Sequence, residues 1–456
     1  MPPSIALLAC VLFVLVLLRR EAKESAADVT PFLWVPTLWF LLMASRPLAL
    51  WFGTGGETIE EGSIVDRWVQ LALFMIALRT LFSRQFAWSV ALQENRWLAV
   101  LLGFMLLSTL WSEMPFISFR RWVTYAIAVL MAWSVQTEPL PRVAVESILR
   151  RIVYICVPFS YVLIHYFPQY GKIYVHTQGV EMWTGVAIHK NSLAELCMVA
   201  FLLLIWRIVT RAYGSKPSRH AKLTTCLDLA VLLLALVVFM GPDRSITYSA
   251  TTLLATLVGC GTLGFLVWQK SRGAPPAAGW FTGASAFLII YGTLTPFLGK
   301  LSLLDVSSAL GRSSTLTGRT EVWTALLPAV MAQPFLGAGV GGFWTTQARV
   351  LYDISGTHNG YLGVILETGF VGLLLFAAFL LSATKTAHRF LSADYHWGAL
   401  CLMALASILT HNIGEESINC FTARLTSVLI LLLVSCHGAA LTVAPTDVSP
   451  LAVAPG

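Results

Sequence analysis

Residues 358–376 read HNGYLGVILETGFVGLLLF, an almost unbroken apolar run with polar residues at two places. His358 and Asn359 stand at its start, and Glu367 lies about 13 Å further along if the run is helical. Such a run is typical of a helix that crosses a lipid bilayer. Insertion scales penalise an acidic residue at the centre of a span by about 2.5–3.5 kcal/mol. The sequence therefore predicts that Glu367 faces protein or water.

Similar apolar runs recur along the whole chain of 456 residues, of which 57% are hydrophobic and 12% are charged. The charged fraction is about half that of an average soluble protein. The candidate spans are 4–19, 31–51, 66–83, 96–112, 118–136, 149–168, 188–208, 225–242, 245–268, 279–299, 359–382, 395–413 and 424–443. The second and the last are the least regular. The sequence thus predicts an all-α, polytopic membrane protein with about 12 or 13 transmembrane helices.

The domain organisation follows from these spans. Residues 1–443 are expected to form a single membrane domain, and the proline- and alanine-rich residues 444–456 a disordered tail. With the N-terminus outside, most lysine- and arginine-rich connections, beginning with RREAK at 19–23, lie in the cytoplasm. The long stretch 300–358 then lies outside. Within it, one short amphipathic helix is predicted from Arg319 to about Gln333 and a second over 343–354.

Several functional classes are disfavoured by the composition. The net charge of +7 is spread over many short loops, which membrane topology explains better than nucleic-acid binding. The eight cysteines form no CxxC pair, so neither a zinc site nor a disulfide framework is expected. There is no Asp-x-Asp pair, no phosphate-binding loop ending in Gly-Lys-Ser/Thr and no Gly-x-Ser-x-Gly sequence. No metal and no cofactor is expected.

Four polar clusters fall on the outer face in this topology. They are His189-Lys190-Asn191 with Glu195, the corner GPDRS (241–245), the loop segment GRSSTLTGRTEVW (311–323), and His358-Asn359 with His411-Asn412 and Glu415-Glu416 nearby. Arginine suits phosphate oxygens, because its charge persists at any relevant pH and its planar fork can donate two hydrogen bonds. The clusters therefore favour a substrate that carries a lipid phosphate or pyrophosphate.

Each cluster also has a structural interpretation. Asp243 and Arg244 could neutralise one another at a helix end, Arg319 could be a solvated loop residue, and Lys190 could anchor its helix at the headgroups. Glu367 is expected to close a polar network beneath the outer face. His358 is expected in the first turn of a helix capped by Thr357, where a neutral imidazole could accept a proton.

Three segments together resemble the superfamily of O-antigen ligases and O-antigen polymerases: LTGRTEVW, HNGYLGVILETGFVGLLLF and AIHKNSLAE (187–195). The last is most similar to the exopolysaccharide-polymerase, ExoQ-type branch. The resemblance extends over about residues 95–420 and includes LSTLWSEMPFISFRR (107–121). The corner GPDRS differs from the more common Ser-x-Ser-Arg pattern of that superfamily by having Pro242-Asp243 before Arg244.

The resemblance implies a GT-C-like fold in a bacterial inner membrane, with the active site facing the periplasm. It implies metal-independent, inverting transfer of a glycan from undecaprenyl pyrophosphate to the hydroxyl of a glycan acceptor. Carried onto this sequence, Arg319 and Arg244 would hold the pyrophosphate, and His358 would act as the general base. Lys190, Asn191, Asn359 and Glu367 are the further candidates for substrate binding.

The motifs leave three functions open. The main hypothesis is a polymerase that joins lipid-linked repeat units into exopolysaccharide, with a chain-length regulator or export protein as a conceivable partner. The alternative is a ligase that transfers finished chains to lipid A-core or to a protein. A transporter or flippase for lipid-linked sugars is the alternative from another class, although no internal repeat is evident.

Overall fold

In a computed structural model of the chain, the described residues are 1–25, 27–53, 64–175, 180–212, 219–242, 249–273, 278–298, 319–352 and 356–418. They form a bundle of helices with one small hairpin. The helices before the hairpin are α1 (Pro3–Ser25), α2 (Trp34–Ala44), α3 (Leu48–Phe52), α4 (Ile64–Ser83), α5 (Trp88–Glu94), α6 (Arg96–Ser108), α7 (Pro115–Val135), α8 (Pro141–Tyr166) and α9 (Pro168–Gly171). A 3₁₀ helix, Pro31–Leu33, precedes α2.

The hairpin consists of β1 (Lys172–Val175) and β2 (Val180–Trp183), which pair antiparallel. The helices after it are α10 (Lys190–Ala212), α11 (Arg219–Met240), α12 (Ala250–Ser271), α13 (Ala278–Leu298), α14 (Arg319–Ala332), α15 (Thr346–Tyr352), α16 (Gly360–Ala393) and α17 (Tyr395–His411). The predicted all-α, polytopic fold class is confirmed, and the short hairpin is a local feature that the sequence did not predict.

Eleven of the first twelve predicted spans each correspond to one α-helix, whereas 31–51 is divided into the 3₁₀ helix, α2 and α3. The predicted span 424–443 and the predicted tail 444–456 lie outside the described residues. Among the described helices, six are long and apolar enough to cross a membrane. They lie at 141–166, 190–212, 222–240, 250–271, 279–298 and 360–393. The pair α5 and α6, bent by 92° at its junction, would make a seventh. The total of 12 or 13 spans stays a prediction.

The end of the bundle that carries the predicted site residues is organised by close packing of α12 against α17. At Gly259 a side chain would lie only 2.0 Å from Ser407 Oγ, so the two helices approach as closely as a glycine permits. The two helices run in opposite directions, which brings the first turn of α12 beside the last turn of α17. Thr252 Oγ1 lies 2.9 Å from His411 Nε2 at that point.

Basic and acidic residues are gathered at the opposite end, where α1, α8, α10 and α11 meet. Arg151 Nε donates to Glu21 Oε2 at 2.9 Å, and Arg207 Nε donates to Asp228 Oδ2 at 3.1 Å. All four side chains are at most 5% exposed. The predicted cytoplasmic connections from these helices therefore share one end of the molecule, away from the histidine of the HNG segment.

Helix α16 is longer than its predicted span and is broken in its first third, at Gly369. Gly369 has φ 65° and ψ −172°, a conformation essentially restricted to glycine. The backbone groups released by this break are bonded by the preceding loop. Phe370 N–H donates to Pro334 O at 2.8 Å, and Ala338 N–H donates to Leu366 O at 2.9 Å. The loop thus completes a helix that could not satisfy its own backbone within the bundle.

The outer loop has the predicted pattern of two short helices in its described part. Helix α14 begins at Arg319 and ends at Ala332, directly before Gln333-Pro334, as expected. Its buried face is formed by Trp323, Leu326 and Val330, so it packs onto the bundle through one side. The second helix, α15, is shorter than the predicted 343–354.

Candidate functional site

His358 lies in a tight turn before α16. The N-cap of α16 is Asn359, whose side-chain oxygen accepts from Leu362 N–H at 2.9 Å. The prediction that Thr357 caps this helix and that His358 lies in its first turn was therefore wrong. His358 instead adopts φ 48°, in the left-handed region, where histidine is among the less disfavoured residues. Its side chain remains 41% exposed.

The neighbours of His358 hold this strained turn in place. Thr357 Oγ1 donates to Asn359 O at 2.7 Å, and Trp323 Nε1 donates to Thr357 O at 2.9 Å. Thr357 N–H also donates to a carboxylate oxygen of Glu416. Strained backbone persists only where its surroundings determine it, and such sites are often functional. The indole of Trp323 links the His358 turn directly to the helix that begins at Arg319.

Glu415 is the residue at which three predicted site residues meet. Its Oε1 accepts from Arg319 Nη2 at 2.5 Å and from Asn191 Nδ2 at 2.8 Å. Its Oε2 lies 3.4 Å from His358 Nδ1. The carboxylate comes from the segment after α17, whereas its partners come from α10, α14 and the turn before α16. Four separate parts of the chain are thus joined by one side chain.

The ionisation of Glu415 follows from these contacts. Burial on its own would raise the pKa of this carboxyl, but the hydrogen bond from His358 and the charge of Arg319 outweigh burial. Together with the nearby His411, they lower the pKa of Glu415 from 4.5 to about 2. Glu415 is therefore a carboxylate at neutral pH. It can accept a hydrogen bond from Nδ1–H of His358, which leaves Nε2 as the acceptor atom of the imidazole.

The side chain of Arg319 keeps some access to solvent beyond its contacts. Its side chain is 17% exposed. Beyond Glu415, Nη1 donates to Thr251 Oγ1 in α12 at 3.3 Å. The carboxylate thus orients the guanidinium while the side chain keeps some access to solvent. An anion that approaches Arg319 would share it with Glu415 rather than meet an isolated charge.

Lys190 and Asn191 open α10 beside this group. Asn191 reaches Glu415 directly, so it belongs to the same constellation. Lys190 is half-buried and lines a small cavity with Trp183, Gly241 and Ser249. Arg244 lies outside the described residues, so its assignment to the pyrophosphate stays a prediction.

The other two predicted binding residues occupy interior positions. The amide nitrogen of Asn359 donates to Gly292 O at 3.0 Å and to Ile413 O at 2.9 Å, and the residue is fully buried. These contacts, with its capping bond, hold the start of α16 against α13 and the end of α17. Glu367 is buried two residues before the break in α16. The contacts of Asn359 thus support the HNG turn.

Sequence reasoning did not assign Glu415, although Glu415-Glu416 was noted near the outer face. The available signal was His411-Asn412 followed closely by two acidic residues at a helix end. The structure shows why this segment is rigid. Asn412 Oδ1 accepts from the backbone N–H groups of Ser417 and Ile418 at 3.0 and 3.1 Å. His411 bonds Thr252 on one side and Ser417 on the other, which fixes the loop that carries Glu415.

The chemical capacity of the site follows from its parts. A partly exposed imidazole is held by a buried carboxylate, and a guanidinium is held by the same carboxylate. Such an arrangement can remove a proton from a hydroxyl and stabilise negative charge nearby. It lies at the end of the bundle where α10 and α12 begin and α17 ends.

Comparison with known proteins identifies related chains. Residues 229–377, which include Arg319 and His358, match the family model described as O-antigen ligase. The chain is also 30% identical over 145 residues to the exopolysaccharide production protein ExoQ of Rhizobium meliloti (strain 1021). That alignment covers 29% of this chain and 32% of the relative.

The fold and these matches show that the chain is a multi-pass helical membrane protein with a segment of the O-antigen ligase type. Within that class, the chain resembles the exopolysaccharide production protein ExoQ. The resemblance predicted from the three sequence segments is thereby confirmed.

Proposed function

We propose that this chain is a glycosyltransferase of the bacterial inner membrane. It polymerises oligosaccharide repeat units carried on undecaprenyl pyrophosphate into exopolysaccharide at the periplasmic face, by metal-independent, inverting transfer. The proposal rests chiefly on one observation, the meeting of His358 and Arg319 at Glu415 at one end of the bundle. A base and a cation at this place are what transfer from a lipid pyrophosphate requires.

The reaction follows from the position of each group. His358 Nε2 accepts the proton of the acceptor hydroxyl as its oxygen attacks the anomeric carbon of the donor sugar. The new C–O bond forms on the side opposite the pyrophosphate, so a single displacement inverts the anomeric configuration. The bond from the anomeric carbon to the pyrophosphate breaks, and its electron pair leaves with the lipid pyrophosphate. Arg319, assisted by Arg244, stabilises that charge, so the leaving group needs no proton.

Glu415 has two roles in this mechanism. It accepts a hydrogen bond from Nδ1–H of His358, and its negative charge stabilises the imidazolium that forms when Nε2 becomes protonated. It also holds Arg319 beside the histidine before the substrate arrives. Preorganised charge of this kind lowers the barrier because it needs no rearrangement during the reaction.

A ligase is the second candidate, because the matched family model is described as O-antigen ligase. The chemistry would be the same, with finished chains as the donor and lipid A-core or a protein as the acceptor. The two functions differ in their products rather than in the site. The polymerase and the ligase must therefore be distinguished by the glycans that the cell makes.

The decisive experiment is complementation of a knockout strain with Arg319→Ala and His358→Ala, followed by size analysis of the cell's glycans. Arg272→Ala and His396→Ala are matched controls, since Arg272 is exposed at the end of α12 and His396 lies at the far end of α17. All variants are compared at equal amounts in the membrane.

The expected result is single lipid-linked repeats with either site variant and normal polymer with either control. Long chains that remain unattached would favour the ligase. Normal polymer with His358→Ala would exclude His358 as the general base and would favour a transport function.

A further inference from the structure

The β-hairpin between α8 and α10 has two different faces. Directly opposed residues of an antiparallel pair lie on the same face, and the face alternates along each strand. Lys172 pairs with Trp183 and Tyr174 pairs with Glu181, so these four side chains share one face. Ile173 pairs with Met182 on the other, and Met182 is buried. The hairpin therefore packs on the bundle through Met182 and presents an aromatic and charged face outward.

The outward face, which we call the hairpin platform, consists of Lys172, Tyr174, Glu181 and Trp183. Tyr174 is 54% exposed. Lys172 Nζ lies 2.9 Å from Glu181 Oε1, and Trp183 Nε1 donates to Glu181 Oε1 at 3.2 Å. The paired charges cancel, so the platform offers hydrogen-bond donors and acceptors beside aromatic rings without a net charge.

The platform extends onto the end of α8. The ring of Trp183 lies edge-on to the ring of His165, with their centroids 5.2 Å apart. The ring of His165 lies 4.5 Å from that of Tyr161, one helical turn earlier in α8. Because His165 is exposed, the row of rings continues along the surface rather than ending at Trp183.

The base of the hairpin is held rigidly. Arg46 donates to the backbone carbonyls of Gly185 and Ala187 at 2.9 and 3.1 Å. Thr184 N–H donates to Gly171 O at 2.8 Å, which closes the hairpin at its root. The platform is therefore a fixed surface at the start of the segment that leads into α10.

Its position relates the platform to the site. The segment after β2 runs through His189 and Lys190 to Asn191, whose side chain donates to Glu415. Trp183 and Lys190 line the same small cavity. The platform thus lies on the α10 side of the Glu415 constellation, whereas Arg319 approaches Glu415 from α14. If Arg319 holds the donor's pyrophosphate, the platform side is left for the acceptor.

We propose that the hairpin platform is the binding surface for the acceptor sugar chain. The C–H faces of pyranose rings are apolar and stack on aromatic rings such as those of Tyr174 and Trp183, and sugar hydroxyls pair with Lys172 and Glu181. The absence of net charge on the platform fits a neutral stretch of sugars. This inference rests on the proposed function, because an acceptor glycan is required only if the protein transfers sugars.

The test measures binding without transfer. Full-length protein in lipid nanodiscs is titrated with short oligosaccharides released from the host's own exopolysaccharide, and contact is detected by saturation-transfer NMR. Tyr174→Ala is expected to weaken binding roughly fivefold, since loss of one aromatic contact is worth about that factor. Tyr174→Phe keeps the ring and should restore binding.

Two variants serve as controls. Ile173→Ala alters an exposed residue on the opposite face of the same strand and should bind as the wild type does. His358→Ala should also retain binding, because the base is not needed to hold sugars. In cells, Tyr174→Ala should shorten the polymer at an unchanged amount of membrane-inserted protein.

Equal binding by Tyr174→Ala and Ile173→Ala would overturn the proposal and leave Tyr174 as an aromatic anchor at the membrane interface. A failure of the proposed function gives a different pattern. In that case His358→Ala would still produce polymer, whatever the binding result for Tyr174→Ala.

Discussion

Arg319 Nη2 and Glu415 Oε1 lie 2.5 Å apart, although the two residues are separated by 96 positions in the chain. Glu415 is also the partner of His358, so one carboxylate sets the position of both predicted catalytic groups. Arg319 and His358 are related through Glu415, which each of them contacts. Their relative placement depends on the rigid loop after α17.

The first prediction concerns the charge of Glu415. Glu415→Gln keeps the size of the side chain but removes the charge that stabilises an imidazolium at His358 and neutralises Arg319. We expect polymer formation to fall on the order of 100-fold, within the range for disturbed acid–base catalysis. The measurement is the rate of polymer synthesis in membrane vesicles with equal protein content. Glu94→Gln, at an exposed position at the end of α5, is the matched control, and a Glu415→Gln rate equal to that control would contradict the role of Glu415.

The second prediction concerns pH. The pKa of Glu415 is lowered in the folded protein from 4.5 to about 2, so the carboxylate stabilises the fold fully at pH values above 4.5. That contribution is lost as the pH falls from 4.5 towards 2. Thermal unfolding of the purified protein should therefore show no contribution of Glu415 to pH dependence between pH 7 and pH 5. In the acidic window, wild type should lose more stability than Glu415→Gln, and parallel curves would contradict the prediction.

The third prediction concerns Trp323. Trp323→Phe removes the hydrogen bond to Thr357 O and leaves a buried carbonyl without this donor, at a cost of about 1–3 kcal/mol in folding stability. The His358 turn should also become less ordered, so activity should fall more than the change in stability explains. Trp280→Phe, at a position that is 76% exposed, should change neither property. Activity and melting temperature measured on the same preparations separate the two effects.

The fourth prediction concerns the break in α16. In Gly369→Ala the new methyl group would lie 2.1 Å from Phe335 O, in a backbone conformation that alanine strongly disfavours. The loop would have to move away from the break, and we expect a loss of at least about 2 kcal/mol in stability. Gly261→Ala and Gly264→Ala are matched controls, because a methyl group there meets nothing within 4 Å. They should be neutral or slightly stabilising, as expected for glycine replaced within a helix. The effect of each of the three substitutions is measured as the amount of folded protein in the membrane.

The fold class could be predicted because it depends on composition and on the length of apolar runs, which are properties of each segment alone. The bounds of α14 were also readable, since Arg319 and Gln333-Pro334 mark its ends in the sequence. The break at Gly369 was not readable in this way. A glycine within an apolar run does not reveal that a distant loop supplies the hydrogen bonds that the run gives up.

The site was predicted in its residue types and less well in its geometry. His358, Arg319 and Asn191 were selected for their chemistry on the outer face, and the structure joins them. Their common partner, Glu415, was missed because contacts between segments so far apart depend on how α10, α12, α14 and α17 pack. The same limit applies to Asn359, which reads as an exposed polar residue in the sequence but is a buried cap in the structure.

The broken α16 has a consequence for biosynthesis. The segment Pro334–Ala338 precedes α16 in the chain, so it leaves the ribosome before the helix that it completes. Phe370 N–H and Leu366 C=O would bond each other in an unbroken helix, so once the helix is broken at Gly369 each depends on the loop for its partner. Without that partner, each group would cost several kcal/mol in hydrocarbon. The order of synthesis therefore delivers the partner first. A circularly permuted chain that began within α16 would have to insert that helix before its loop existed, and assembly in the membrane should stall at that step.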